Sequence, residues 1–344
     1  MNKFEPKCNV VTDMPEFVFV ELTRNCNMMC TMCRPNNIFK KENEMPDEIL
    51  NKVIEQILPT AKIVDLRGWG ESTLDNRLLP LIKDLTNKGK IVSLYTNFQA
   101  RDENYWKEML STNLHLAISL RSANKKHYEE MMVNAKFEKL INHLSLIPKN
   151  NNAYFTVVIG DENIDDIIDI IKLAHQFNIK EIQLNPLSYF RKGMEYPITG
   201  ITKDYQDYAI EVFKNANKIA DELNVKLTIC ADLLSRSTQK CYGTCIHPWY
   251  YCYIRKDGGV GFCNHLLCTE EAIMGNLKDN DFKDIWNNEK YKKIRDYHLN
   301  KDFSFLKAQT IECDWCYENR FGDLEFLVCP EKKNLTMAEY LKKV

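Results

Sequence analysis

The sequence predicts an α/β fold, a run of parallel strands alternating with helices, followed by a small cysteine-rich unit. Three observations carry that expectation. From residue 16 to about 230, short apolar runs alternate with longer helical patterns. The thirteen cysteines fall into two regions, with none between Cys33 and Cys230. Beyond about residue 235, cysteines, aromatics and turn residues dominate.

The candidate strands are Phe17–Leu22, Ile63–Leu66, Ile91–Tyr95, Leu116–Leu120, Tyr154–Ile159 and Glu181–Leu184. They are rich in Val, Ile, Leu and Phe without clean alternation, as strands buried on both faces of a parallel sheet are. Helical patterns lie between them near 46–58, 76–88, 102–111, 125–147 and 164–177, and a longer one covers 203–224. Asp161, Asp165 and Asp166 stand close to the start of the 164–177 helix, where acids favour the helix dipole. Six βα units in a row imply a parallel sheet that either curls into an open barrel or forms a doubly wound layer. In both, the reactive loops follow the C-terminal strand ends. After a boundary near 231–241, Asp257-Gly258-Gly259 between two apolar runs reads as a β-hairpin turn. The last dozen residues read as a short charged helix.

Composition narrows the function. The chain has 344 residues, 44 % apolar and 27 % charged, the profile of a globular protein with one large core and an appendage. A formal net charge of −2, with a pI of about 6.4, argues against a polyanion-binding surface, so no nucleic-acid partner is expected. The N-terminal stretch Met1–Glu16 has no apolar signal region and no run approaches a membrane span, which predicts a cytoplasmic protein with no membrane partner. In such a chain clustered cysteines bind metal or do chemistry more often than they form disulfides.

The first cysteine group, Cys26-x3-Cys30-x2-Cys33, follows directly on the first strand. Three cysteines within eight residues can turn towards one point from a single loop. Four thiolates would close the coordination of an iron–sulfur cluster, whereas three leave one iron open to another ligand, as a catalytic metal requires. A zinc site would want a fourth Cys or His nearby, and no histidine precedes His115.

This spacing resembles the signature of the radical S-adenosylmethionine (radical SAM) superfamily, whose fold is a partial (β/α)6 barrel. The resemblance implies a 4Fe–4S cluster on Cys26, Cys30 and Cys33, with SAM chelating the fourth iron. One electron then splits SAM to methionine and a 5′-deoxyadenosyl radical, which takes a hydrogen atom from a substrate carbon. Gly68-Trp69-Gly70-Glu71 is similar to the family's Gly-Gly-Glu motif for the SAM amino group, although Trp69 replaces a glycine and Ser72 the usual proline. By the same resemblance Thr96, Asn97, Ser119 and Arg121, at strand ends, touch the ribose and carboxylate of SAM, and Asn185 and Met32 face the adenine. Met32 stands where the family usually has an aromatic.

The second region has Cys245 before the hairpin, Cys263 after it, then Gly275-Asn276-Leu277, Ile285-Trp286 and Cys313-x2-Cys316. That order is similar to the C-terminal extension called SPASM, or in its shorter one-cluster form Twitch. It implies that Cys245, Cys263, Cys313 and Cys316 hold a second, auxiliary 4Fe–4S cluster. The same four thiolates would also suit structural zinc, because count and spacing do not choose between the two. The expected organisation is a radical SAM barrel over 1–235, a SPASM/Twitch-like unit over 236–330 and a tail helix over 331–344.

Of the remaining cysteines, Cys8 and Cys230 read as small buried apolar residues. Cys252 lies on the first hairpin strand, and is the candidate thiol to return a hydrogen atom to a substrate radical; Cys268 and Cys241 are weaker candidates. The expected reaction is dehydrogenation or epimerisation at a C–H bond beside oxygen or nitrogen, in a small sugar- or aminocyclitol-like molecule. A ribosomal peptide is the alternative substrate. An electron donor such as flavodoxin or ferredoxin is the expected partner.

Overall fold

The structure, a computed structural model, describes residues 10–33, 41–187, 200–234, 245–266, 270–302, 304, 313 and 334–344. Seven strands run parallel in chain order: β1 (Phe17–Val20), β2 (Ile63–Asp65), β3 (Ile91–Thr96), β4 (His115–Ser119), β5 (Ala153–Ile159), β6 (Glu181–Pro186) and β7 (Lys226–Ile229). Helices α1 (Asp47–Gln56), α2 (Leu78–Asn87), α3 (Glu103–Leu110), α4 (Lys125–Met131), α5 (Phe137–Leu144), α6 (Ile167–Gln176) and α7 (Gln206–Glu222) form the connections. The six expected strands are present. β7 is a seventh that the six-unit reading omits, because only Leu227 and Ile229 of its four residues are apolar.

The expected 125–147 helix is two helices. Asn134 adopts a left-handed φ of 73° between them, a conformation asparagine tolerates better than most residues. The Gln99 side chain holds the break open. Its Oε1 accepts from Lys136 N at 3.1 Å and its Nε2 donates to Lys136 O at 3.1 Å. Near α6, Asp161 accepts from Thr202 N and Oγ1 at 2.9 and 2.6 Å, so it ties a distant loop in place.

The sheet has two unlike faces. Val18, Val20, Val64, Leu66, Val92, Leu94, Phe155 and Val157 turn towards the helices and share one core with Val53, Ile82, Trp106 and Ile170. Burying each such side chain contributes about 1.5–3 kcal/mol. The intervening residues face the other way, into the barrel. On β5 this alternation leaves Tyr154, Thr156 and Val158 half-buried and their neighbours buried.

Both edges of the parallel sheet are extended. β8 (Tyr251–Ile254) pairs parallel with β1, and β9 (Gly259–Gly261) and β10 (Ile273–Asn276) follow antiparallel, so the cysteine-rich hairpin continues the barrel sheet. Gly258, at φ +85°, closes the hairpin turn in a conformation that costs glycine little. At the other edge β11 (Leu335–Thr336) pairs antiparallel with β7 and leads into a short helix over Met337–Leu341. β1 and β7 are not neighbours in the sheet, so the barrel is open. No helix among the described residues is long and apolar enough to cross a membrane.

The chain end is anchored by Tyr340, whose hydroxyl donates to Asp232 at 2.6 Å and accepts from Leu233 N and Leu234 N at 3.1 and 3.0 Å. Tyr340→Phe strips three buried groups of a partner, and is expected to lower stability by about 1–3 kcal/mol in urea unfolding.

Candidate active site

The loop after β1 is held from three sides. Arg24 N donates to Asn43 O at 2.8 Å and Met45 N to Leu22 O at 2.7 Å, so the segment beyond Cys33 folds back on it. Met29 N and Thr31 N donate to Val133 O and Met131 O at 3.0 and 2.9 Å, which ties the loop to the end of α4. Glu71 N donates to Asn25 O at 2.7 Å. Cys26, Cys30 and Cys33 are half-buried in this frame, as is Met32. The thiols of Cys26 and Cys30 are pushed up to about 12, mostly by burial and in part by the charge of Cys33. The three sulfurs thus share one electrostatic neighbourhood, although no three Cys, His, Asp or Glu side chains among the described residues stand at metal-holding geometry.

Gly70 has a steric reason to be glycine. A Cβ there would lie 2.3 Å from Asn25 O, so the β2 loop rests directly on the backbone of the cysteine loop. Glu71 is buried, and its Oε1 accepts from Thr73 N at 3.2 Å, Thr73 Oγ1 at 2.5 Å and Thr96 Oγ1 at 2.8 Å. Among the described residues its Oε2 accepts from Asn97 N alone, at 2.7 Å, and a carboxylate oxygen has room for a second donor. Burial raises the Glu71 pKa, and these donors oppose the rise.

Asn97 Nδ2 donates to Asn27 Oδ1 at 2.8 Å and lies 3.9 Å from Cys26 Sγ. Phe98 holds the turn after Asn97 at φ 58°, a strained value for a bulky residue. Packing fixes it there. Its ring centroid lies 4.3 Å from that of Trp106, and His143 Nδ1 bonds its carbonyl at 2.7 Å.

At the rim of β4, Ser119 is half-buried and Arg121 buried. Arg121 Nη2 pairs with Glu162, and Nε and Nη1 are buried without a hydrogen-bond partner among the described residues. Its charge is felt by the Cys30 thiol, which places the guanidinium beside the cysteine loop. Asn185 Nδ2 donates to Thr156 Oγ1 at 2.9 Å, and its Oδ1 accepts from Cys230 Sγ at 2.8 Å. Cys230 therefore makes a polar contact on the inner face, which differs from its reading as an apolar filler.

In the C-terminal region Cys245 is half-buried ahead of α8 (His247–Tyr250), Cys263 is buried after β9, and Cys313 packs against the main core. Cys316, Cys241 and Cys268 lie outside the described residues. Cys252 corrects the sequence reading. It pairs in register with Val18, is 0 % exposed, and joins the helix-side core, while Tyr251 and Tyr253 point inwards with Phe17 and Phe19. A strand alternates its side chains, so a hairpin position near the barrel does not imply a thiol facing it. Cys252 cannot reach a substrate inside.

Two family models match the chain: the radical SAM superfamily over residues 20–174 and an iron–sulfur cluster-binding domain, SPASM, over 245–317. The chain belongs to the radical SAM superfamily. A cofactor-modifying protein for the tungsten-containing aldehyde ferredoxin oxidoreductase of Pyrococcus furiosus is 19 % identical, over 92 % of this radical SAM enzyme and 97 % of that protein. A GTP 3′,8-cyclase of Clostridium perfringens is 26 % identical over 75 % and 79 %. Among solved structures, the anSMEcpe protein with bound AdoMet has a TM-score of 0.66 at 17 % identity, covering 95 % of this chain and 93 % of that one. SuiB of Streptococcus suis bound to SAM gives 0.65 at 15 %, covering 83 % and 68 %.

The family and its SPASM domain bring 4Fe–4S clusters and SAM as cofactors. The residues present fit them. Three half-buried thiols on one braced loop suit a cluster with one open iron, and ligation must displace their protons. The unpartnered Arg121 Nε and Nη1 suit a carboxylate beside that loop. The sequence reading passed over Glu21, which is buried at the end of β1 and accepts from Arg24 Nε at 2.9 Å and Trp69 N at 3.1 Å. The inward alternation Phe17, Phe19, Glu21 was the available signal. Because the buried Phe98 ring packs against Trp106 and His143, Phe98→Ala is expected to lower stability by about 3–5 kcal/mol, read by thermal or urea unfolding.

Proposed function

We propose that this radical SAM enzyme removes hydrogen from a carbon bearing oxygen or nitrogen in a small, uncharged polar molecule of the sugar or aminocyclitol kind, with dehydrogenation as the outcome. The supporting observation is the inner face of β4 to β7. Ser119, Thr156 and Asn185, all half-buried, give it uncharged hydrogen-bonding groups, and Gln183 and Thr228 continue the polar face in its buried part. The charges around it are already matched. Asp65 pairs with Arg67 at 2.7 Å, Glu21 with Arg24 at 2.9 Å, and Glu162 with Arg121. A wall of that kind favours hydroxyl and amine groups over a charged substrate, because it offers partners without a net charge to neutralise. Phe17, Phe19, Tyr251 and Tyr253 are buried as an apolar layer on the β1 side, and Trp69, half-buried against them, is the ring there on which a substrate's C–H face can lie.

In this reading Cys26, Cys30 and Cys33 hold the first cluster, and Cys245, Cys263, Cys313 and Cys316 the second. Arg121 and Ser119 orient the SAM carboxylate, Glu71 its amino group through Oε2, and Thr96 and Asn97 shape the floor between them. Asn185 and Met32 remain the adenine-side candidates. When bound, the first cluster and SAM supply a carbon-centred radical able to take a hydrogen atom, and the second cluster supplies a one-electron sink. We take the barrel to end near residue 235, the auxiliary unit to cover 236–330 and the tail 331–344. The reductant is of the flavodoxin or ferredoxin class. A peptide substrate is the second reading, since one similar SuiB structure is bound to a precursor peptide, but that likeness carries the fold alone.

Dehydrogenation is favoured over epimerisation because the described thiol on the inner face, Cys230, is 6 % exposed and donates a hydrogen bond to Asn185 Oδ1. Turnover in deuterated water tests this. The expected product is a carbonyl or imine-derived compound with no deuterium fixed at the reacting carbon. Deuterium fixed there, and lost in Cys230→Ala, would establish epimerisation instead. Replacing Cys26, Cys30 and Cys33 together by alanine is expected to remove about four irons per chain and abolish release of 5′-deoxyadenosine, while the auxiliary iron stays.

A further inference from the structure

We infer that Glu21 is a positioning residue that couples the hairpin of the auxiliary region to the loop holding the SAM amino group. Its carboxylate is 0 % exposed and meets donors from three separate segments. Oε1 accepts from Trp69 N at 3.1 Å, in the Gly68–Glu71 loop. Oε2 accepts from Arg24 Nε at 2.9 Å, two residues before Cys26, and from Lys256 N at 3.3 Å, in the hairpin turn. The contact with the Gly68–Glu71 loop is close. A Cβ on Gly68 would lie 2.6 Å from Glu21 Cγ, so the loop is pressed onto the Glu21 side chain as well as bonded to it. Glu21 N itself donates to Ile254 O at 2.9 Å, which fixes the residue to β8.

A carboxylate suits this junction because it is acceptor-only and can serve three donors at once. An amide would turn N–H groups towards N–H groups on one side. A shift of the hairpin turn moves Lys256 N, and the carboxylate passes the shift to Trp69, one peptide before Gly70. Both Glu21 oxygens are engaged by these protein donors. Its effect runs through the loop.

The hairpin allows a clean test. Gly258 N donates to Arg255 O at 2.9 Å and Gly258 is left-handed, so Lys256 holds the second position of the turn, where proline is readily accepted. Lys256→Pro deletes the N–H and spares the turn, and Lys256→Ala deletes the side chain and spares the N–H. The inference rests on reading Gly68–Glu71 as the amino-group loop, and Glu71→Gln tests that reading separately. The readout is SAM binding to the reconstituted holoenzyme at equal iron content, by equilibrium dialysis and by the SAM-induced change in the EPR spectrum of the reduced cluster. Glu21→Gln is expected to weaken SAM binding about tenfold, equivalent to about 1.4 kcal/mol. Lys256→Pro is expected to weaken it in the same direction, and Lys256→Ala to leave it unchanged. Wild-type binding in both Glu21→Gln and Lys256→Pro, with Glu71→Gln weakened, would overturn the coupling and keep the loop. So would equal weakening in Lys256→Ala and Lys256→Pro. Wild-type binding in all of them, Glu71→Gln included, would remove the loop reading and the coupling with it.

Discussion

The site depends on one backbone contact, that between Asn25 and the loop after β2. Asn25 O accepts from Glu71 N at 2.7 Å, and Gly70 approaches so near that an added Cβ would clash with that oxygen at 2.3 Å. That contact holds the cysteine loop against the Glu71 loop. Glu71 then passes the placement on to β3 through Thr96 and Asn97, and Asn97 returns to the cysteine loop through Asn27. The circuit closes within a few ångströms and is largely buried, so its hydrogen bonds are strong and costly to leave unmade. Strain at Phe98 persists because the packing of Trp106 and His143 over-determines it.

The second constraint is the alternation of strand side chains. On β1 and β8 it sends Phe17, Phe19, Tyr251 and Tyr253 into the barrel and Val18, Val20 and Cys252 into the helix-side core. On β5 to β7 it brings Thr156, Asn185 and Cys230 to the inner rim. One register decides that Cys230 meets Asn185 on the inner face and that Cys252 is core filler. It reverses the ranking that position along the chain suggested.

The auxiliary hairpin is continuous with the barrel, because β8 pairs parallel with β1. The turn of that hairpin therefore stands over Glu21, and the two cysteine regions are linked by sheet and carboxylate together. The opposite edge is closed by the chain's own C-terminal strand, β11, which leaves no long unpaired backbone on β7 for another chain to join.

The sequence by itself determined the family, the parallel α/β sheet and the three-cysteine loop, because these are local: apolar runs of strand length, helical periods between them, and a spacing that fits one loop. It also located the hairpin turn at Asp257-Gly258-Gly259, where glycine meets a left-handed backbone. It missed β7, whose two apolar residues give too little signal, and the break at Asn134, which the distant Gln99 side chain supports. Only the tertiary structure decided the partners of Glu71, the burial of Glu21 and the direction of Cys252. Each of those depends on which strand lies alongside which and in what register, and that pairing joins residues up to 235 positions apart that no local pattern relates.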